Sequence, residues 1–426
     1  MSDHTQTRRN SQSSRLVATG RPETMRKTAL ISLAAVAASA LALSGCVSSA
    51  PGAGSNSGSN EAGGSDETIL IGAVMAETGF MSPFDIPALN QMKIAVDELN
   101  DAGGIDGTPV ELSVIDTGSD FEKYAPAAQS LIDDGAKVLM VTCDYDTAVP
   151  ASQVAEENNI LNIAPCVGDT IYGPEGGLDI GFSLGNAVPG EASVMAEFAY
   201  EQGWKSAVFV KDDSIKYTQN QCETAAKRFT ELGGTEIASY SFIQGDSIKE
   251  TVSKITSGDA PDVVFNCSYG EGGGKAAKEL RDGGIDTPIV SGFGMDGTFW
   301  LDAIPNLADY YIVTYPSVWG DDSDDKVNDA SAKYEEVYGA RPENGSMTTG
   351  DSAIEAVTLA FDEAGSWDGD KLAKAFLGFA DVPLLVGPTT FSEDLHVNVE
   401  RPQRVLQVQD GKLAHLETRA PEKVLR

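Results

Sequence analysis

From Thr68 onward the sequence alternates short apolar or β-branched runs with stretches of helical periodicity, and no other feature constrains the fold as tightly. Ile69-Leu70-Ile71-Gly72-Ala73-Val74 is a near-continuous apolar run, the pattern of a parallel strand covered on both faces. The next segment places Leu89, Met92, Val96 and Leu99 on one helical face and stops at Gly103-Gly104. The pattern then predicts strands over residues 110–115, 138–142 and 160–164, with helices over 124–134 and 148–158 between them. Repeated strand–helix units leave a parallel sheet with right-handed crossovers as the economical topology.

After Phe182-Ser183-Leu184-Gly185-Asn186 the winding restarts. Pro189 opens a helix to about residue 202, and a strand over 207–210 and a helix over 217–232 ending at Gly233-Gly234 follow. Strands over 237–242, 263–265 and 289–290 enclose helices near 248–256 and 274–282. Two successive windings in 426 residues predict an α/β protein of two doubly wound parallel-sheet lobes. A strand-like run at 310–315 leads into helical segments at 325–338, 347–364 and 371–379, as if the chain returned to cover the first lobe. Residues 405–409, Asp410-Gly411 and residues 413–417 read as a hairpin. Ligands in such sheets bind beyond the carboxyl ends of the strands, so the loops there are the candidate site.

The first 65 residues carry no such winding. Met25-Arg26-Lys27 opens a basic segment, residues 28–44 are apolar and small, and Leu43-Ser44-Gly45-Cys46 resembles a bacterial lipobox. The apolar stretch is short for a membrane span, which needs about 20 residues. Residues 1–45 are therefore expected to be a signal peptide with an extra leader, Cys46 the lipidated residue, and residues 46–66 a flexible Gly/Ser tether. That places the protein outside the cytoplasm, anchored to the cell membrane.

A formal net charge of −34 excludes a nucleic-acid partner, whose phosphates such a surface repels. Cys143, Cys166, Cys222 and Cys267 are an even number in an exported chain and point to disulfides, for which three pairings exist. In the inferred winding Cys143 and Cys166 end neighbouring strands, and Cys222 opens a helix beside the strand that Cys267 ends, which predicts Cys143 with Cys166 and Cys222 with Cys267. No cysteine or histidine spacing suggests a metal site, and no cofactor motif is read. Gly270-Glu271-Gly272-Gly273-Gly274-Lys275 lacks the spacing and the Ser or Thr of a phosphate loop. No G-x-S-x-G elbow exists, and His396 is expected in a polar C-terminal strand far from the strand-end loops, so no enzyme is read. Asp321-Asp322-Ser323-Asp324-Asp325 lacks the glycine and distant glutamate of a calcium loop and reads as solvated.

The segment Asn100-Asp101-Ala102-Gly103-Gly104-Ile105-Asp106-Gly107-Thr108-Pro109-Val110-Glu111-Leu112 resembles the type I solute-binding proteins of branched-chain amino acid ABC importers, the leucine/isoleucine/valine-binding family. Pro150-Ala151-Ser152, Ile163-Ala164-Pro165 and Tyr217 are similar to it as well, and the order of elements agrees from residue 68 to about 415. The resemblance implies a monomeric receptor that closes on a small-molecule ligand and meets an ABC permease; a sensing receptor of the same fold is the alternative. It implies lobes of 67–186 with 316–392 and of 187–315 with 393–426, joined by a hinge crossed near Gly185-Asn186, Tyr315-Pro316 and residues 390–392. Its ligand loops fall here on residues 77–84, 142–146 and 166–170, on Tyr217 and Tyr269, and on residues 293–296, with Thr78, Phe80, Asp144, Tyr145, Cys166, Gly168, Tyr217, Tyr269, Phe293 and Asp296 as the candidate ligand residues. The sequence departs from the family where a ligand carboxylate is held: Asp144 and Tyr145 replace a serine pair, and Cys166-Val167-Gly168 replaces a run ending in threonine. Such a set of rings and carboxylates suits a neutral or cationic ligand, while backbone amides alone still suit a branched-chain amino acid. Asp144 and Asp146 equally fit helix N-caps, and Tyr269 equally fits core packing.

Overall fold

A computed structural model describes residues 68–425. The expected signal segment, Cys46 and the tether to residue 66 lie outside the described residues. No helix among those described is long and apolar enough to cross a membrane.

The first winding gives β1 (Ile69–Met75), α1 (Ser82–Asp101), β2 (Val110–Asp116), α2 (Tyr124–Asp133), β3 (Val138–Val141), α3 (Tyr145–Glu157), β4 (Leu161–Ala164) and β5 (Gly181–Ser183). Its sheet is parallel throughout, in the order β2-β1-β3-β4-β5. Every residue of β3 and β4 is buried, as expected of strands covered on both faces, and Asn162 within β4 is satisfied by Glu156, Ile180 O and the Tyr172 hydroxyl. Gly72 has a packing reason: a Cβ there would lie 2.6 Å from Leu139 Cδ2 and 3.0 Å from Leu131 Cβ, so the bare backbone lets α2 close on β1. Pro87 sits inside α1 and cannot donate to the carbonyl of Pro83, which instead accepts from Asn344 Nδ2 at 2.8 Å.

The second winding gives α4 (Val188–Glu201), β6 (Ser206–Asp212), α5 (Lys216–Glu231), β7 (Thr235–Phe242), α6 (Lys249–Ser257), β8 (Val263–Cys267), α7 (Gly270–Asp282), β9 (Ile289–Ser291) and β10 (Tyr310–Thr314). Then come α8 (Asp325–Tyr338), α9 (Met347–Ala364), α10 (Gly369–Phe376), a small hairpin of β11 (Val382–Leu384) and β12 (Gly387–Thr389), and the terminal hairpin β13 (Gln403–Gln409) and β14 (Lys412–Arg419). The second sheet has the order β14-β13-β10-β9-β8-β6-β7, parallel except where β13 pairs antiparallel with β10 and β14. The chain does return to the first lobe: Ala353, Ile354 and Val357 of α9 share a core with Ala88, Leu89 and Met92 of α1. Gly350 makes the contact intimate, since a Cβ there would stand 2.0 Å from the carbonyl oxygen of Ala88.

Both disulfides pair as the winding implies. Cys143 and Cys166 have Cα atoms 4.6 Å apart, and Cys222 and Cys267 5.5 Å. The solvated reading of the acidic run before α8 fails at Asp322, which is buried and receives Arg404 at 2.7 and 2.9 Å, while Asp324 caps α8 at Lys326 N. The expectation for His396 fails as well. His396 is buried in an irregular segment, with its ring stacked on Phe182 at 4.0 Å between centroids and Nδ1 2.8 Å from the carbonyl of Gly181. It is core packing for β5 and not part of a polar strand.

Candidate functional site

Strands β3 and β4 leave the sheet side by side, and the second residues after them are joined by the Cys143–Cys166 disulfide. Asp85 fixes the same corner from α1. Its buried carboxylate accepts from Ala76 N at 2.8 Å, Thr142 Oγ1 at 2.7 Å and Cys143 N at 2.9 Å, tying the ends of β1 and β3 to the helix. Burial pushes its carboxyl up to about 7.

Asp144 begins α3 as its N-cap, with extended backbone (φ −127°, ψ 141°) and an oxygen accepting from Asp146 N at 3.1 Å. The side chain is buried, and burial above all, then the nearby Asp146 and Asp169, pushes its carboxyl up to about 7. Asp169, beyond β4, accepts from Ile171 N at 3.1 Å and is raised as well, chiefly by burial. Gly168 lies where a Cβ would meet the carbonyl of Asn186 at 2.8 Å, so the β4 loop crosses the chain leaving β5 with no room for a side chain.

The second lobe faces these loops with rings. Tyr217, in the first turn of α5, donates its hydroxyl proton to Glu191 Oε1 at 2.7 Å and accepts from Gln221 Nε2 at 2.7 Å and Gly294 N at 3.1 Å. That phenol oxygen is saturated, and what it offers a ligand is its ring. Glu191 behind it is buried and pushed up to about 7 by that burial. Tyr269 caps α7 with its ring buried, and Phe293 packs edge-on against Phe84 of the first lobe at 5.4 Å and against Tyr315 at 4.6 Å.

These groups enclose a cavity between the lobes, lined on its apolar side by Met81, Phe84, Ile215 and the disulfide. The void between the closed lobes is small. Contacts across the cleft hold it shut: Lys216 N donates to Asp146 Oδ2 at 3.1 Å, Asn220 Nδ2 to Asp169 Oδ2 at 2.8 Å, and the Lys216 ammonium sits 5.2 Å over the Tyr145 ring.

Of the residues that sequence reasoning singled out, Asp144, Tyr145, Cys166, Gly168, Tyr217, Tyr269 and Phe293 line this cavity. Thr78, Phe80 and Asp296 lie away from it. Thr78 hydrogen-bonds Asp116 at 3.0 Å on the surface, and Phe80 is 36% exposed at the cleft mouth, stacked on Phe121 at 6.3 Å. Asp296 points to the rear, where Thr314 Oγ1 at 2.9 Å and Gly345 N at 3.0 Å occupy it. Met81, Phe84, Asp169 and Gly294 fell inside the expected loops without being selected; Ile215 carried no signal at all.

Known proteins share this arrangement. The sequence matches the periplasmic binding protein family over residues 68–412. Leu/Ile/Val-binding protein homolog 3 of Brucella melitensis is 26% identical over 358 residues, covering 82% of this chain and 94% of that one. Leu/Ile/Val-binding protein BraC3 of Rhizobium johnstonii is 24% identical over 76% of this chain and 88% of its own. Among solved structures, the branched-chain amino acid transporter substrate binding protein LivJ of Streptococcus pneumoniae, in complex with isoleucine, superposes with a TM-score of 0.73 at 23% identity, over 83% of this chain and 100% of that one. The leucine binding protein LivK of Thermotoga maritima superposes with a TM-score of 0.74 at 22% identity, over 83% and 99%. The chain belongs to the periplasmic binding protein family and has the fold of two parallel-sheet lobes that its solved relatives share.

Proposed function

We propose that the chain captures a branched-chain amino acid, or an amide or amine of the same aliphatic shape, by closing its two lobes, and presents it to an ABC permease while held at the membrane by lipid on Cys46. The observation that carries the reading is the small cavity at the strand ends of both sheets, apolar on one side and spanned by the Asp146–Lys216 and Asp169–Asn220 contacts. The names of its relatives favour the branched aliphatic class.

In this reading residues 67–186 and most of 316–400 move as one lobe, and 187–315 with the terminal hairpin as the other. The third crossing is drawn at Arg401 instead of residues 390–392, because Val397 and Val399 pack in the first lobe's core. Arg401 clamps the crossings: its buried guanidinium donates to Leu184 O at 2.7 Å, Asn186 Oδ1 at 3.1 Å and Thr389 Oγ1 at 2.9 Å.

The test is a melt of the purified full chain with leucine, isoleucine, valine, leucinamide and 3-methylbutylamine. At 100 times its dissociation constant a true ligand stabilises the closed form by about 2.7 kcal/mol. Failure of every one of these compounds to shift the melt would refute the reading. Mass spectrometry of the membrane fraction checks the anchor: Cys46 is expected to carry lipid, since stable attachment needs about two acyl chains, and an unmodified Cys46 would remove that part.

A further inference from the structure

We infer that Asp144 and Asp169 form the charge-recognition subsite of this cavity, and that the preferred ligand is a small aliphatic cation without a free carboxylate, an amine or amino-acid amide. The inference rests on the closed-cleft reading above and narrows it.

At two of the strand ends that line the cavity, local backbone N–H groups are already met by the chain's own carboxylates. Asp144 fills the N-terminus of α3, answered only by amides of that first turn, from Asp146 and Thr147. Asp169 fills the corresponding turn after β4 through Ile171 N. An anionic group entering there meets two carboxyl groups whose ionisation it opposes. Nothing in the lining offsets them, for no Lys, Arg or His side chain lines the cavity among the described residues. The nearest cation, Lys216, is turned onto the Tyr145 ring. Tyr217 offers no proton either, since its hydroxyl hydrogen is committed to Glu191.

A cation finds the opposite. Asp144 is 5% exposed, has no ion-pair partner among the described residues, and sits beside the rings of Tyr145, Tyr217 and Tyr269, whose faces attract positive charge. The carboxyl is held near neutral titration by burial, so in the ligand-free chain a proton occupies the charge that the ligand's ammonium would meet. The apolar wall of Met81, Phe84, Ile215 and the disulfide then takes the branched aliphatic end.

Calorimetry on the purified full chain separates the possibilities with probes of one shape and different charge: leucine, leucinamide, 4-methylpentanoate and the neutral 4-methylpentanamide. Leucinamide is expected to bind about tenfold or more tighter than leucine, and 4-methylpentanoate weakest, as one charge-assisted hydrogen bond more or less would dictate. Asp144→Asn keeps the Asp146 N–H contact, because an amide oxygen accepts as a carboxylate does. It is expected to lower the ratio of leucinamide to neutral-amide affinity by about tenfold, a charge-selective effect that a merely structural role would not produce. Tighter binding of leucine than of leucinamide by the unaltered chain, or a leucinamide-to-amide ratio unmoved in the variant, would overturn the subsite and leave the closed-cleft reading standing. Binding of none of the four removes both.

Discussion

Replacing Asp144 by asparagine should stabilise the ligand-free protein, by an amount that depends on pH in a defined direction. In the fold this carboxyl titrates near 7, against 3.8 for an unburied aspartate. Below about pH 4 it is protonated in folded and unfolded chains alike and contributes no difference. Between these values the folded chain keeps a proton that the unfolded chain has lost, so each rise in pH favours unfolding, and above about 7 the penalty levels off. At about 1.4 kcal/mol per pH unit of separation, the full cost is about 4 kcal/mol. Asparagine caps a helix as well as aspartate, so the variant keeps the start of α3 and loses the penalty. The groups facing Asp144 are the carboxylates of Asp146 and Asp169, the Lys216 ammonium, and Tyr145, Tyr217 and Tyr269; none of the phenols ionises in this window. Denaturant unfolding at pH 4, 6 and 8 should show the variant more stable by about 2–4 kcal/mol at pH 8, less at pH 6, and equal at pH 4. Asp85, Glu191 and Asp296 are raised too, but they act equally on both proteins and cancel in the difference. A variant that is less stable at pH 8, or a difference that is flat with pH, would refute the reasoning.

Two further outcomes follow from packing and connectivity. Cys222 and Cys267 close a loop of sequence separation 45, so Cys222→Ala with Cys267→Ala should cost about 4 kcal/mol of stability, read as a drop of about 8–16 °C in the second lobe's melt; no drop would mean that the bond is not formed. Gly350→Ala places a methyl group where the carbonyl of Ala88 lies 2.0 Å away, and parting α1 from α9 should cost about 1–3 kcal/mol, measured by urea unfolding, with an unchanged midpoint as the refuting result.

Much of the fold is legible in the sequence because parallel strands buried on both faces must be unbroken apolar runs, and helices must place an apolar stripe on them. The bounds expected for α8 and α9 coincide with those found. What escapes has no periodicity to read. β5 is three residues long, and β11 and β12 are three each with a proline in the middle. The start of α7 escapes for another reason: Gly270 to Gly274 looks like a loop, since glycine disfavours helix by about 1 kcal/mol per residue. Here the glycines are required, because Cβ atoms at Gly272, Gly273 and Gly274 would strike Gln244, Met295 and Trp300 at 2.2, 2.2 and 2.8 Å.

The site is legible to the extent that it is made by strand ends, and opaque where it is made by closure. Asp144, Cys166 and Phe293 follow from where strands stop. Ile215 does not, since nothing local says that a residue before α5 comes to face Phe84 in one cavity; that is a property of two sheets meeting across the cleft. Asp296 fails for a related reason, as a loop position does not reveal which side of the loop its carboxylate takes, and Thr314 and Gly345 hold it at the rear. Asp144 had two readings in the sequence, helix cap or ligand group, and the fold makes them one. Capping directs the carboxylate at the first amides of α3, and the closing of Tyr217 and Tyr269 over that helix end removes the water that would otherwise neutralise its charge. A surface cap would be indifferent to what binds nearby. A cap sealed in the cleft carries a charge that only a proton or a ligand can answer, and that ties the start of α3 to the choice of ligand.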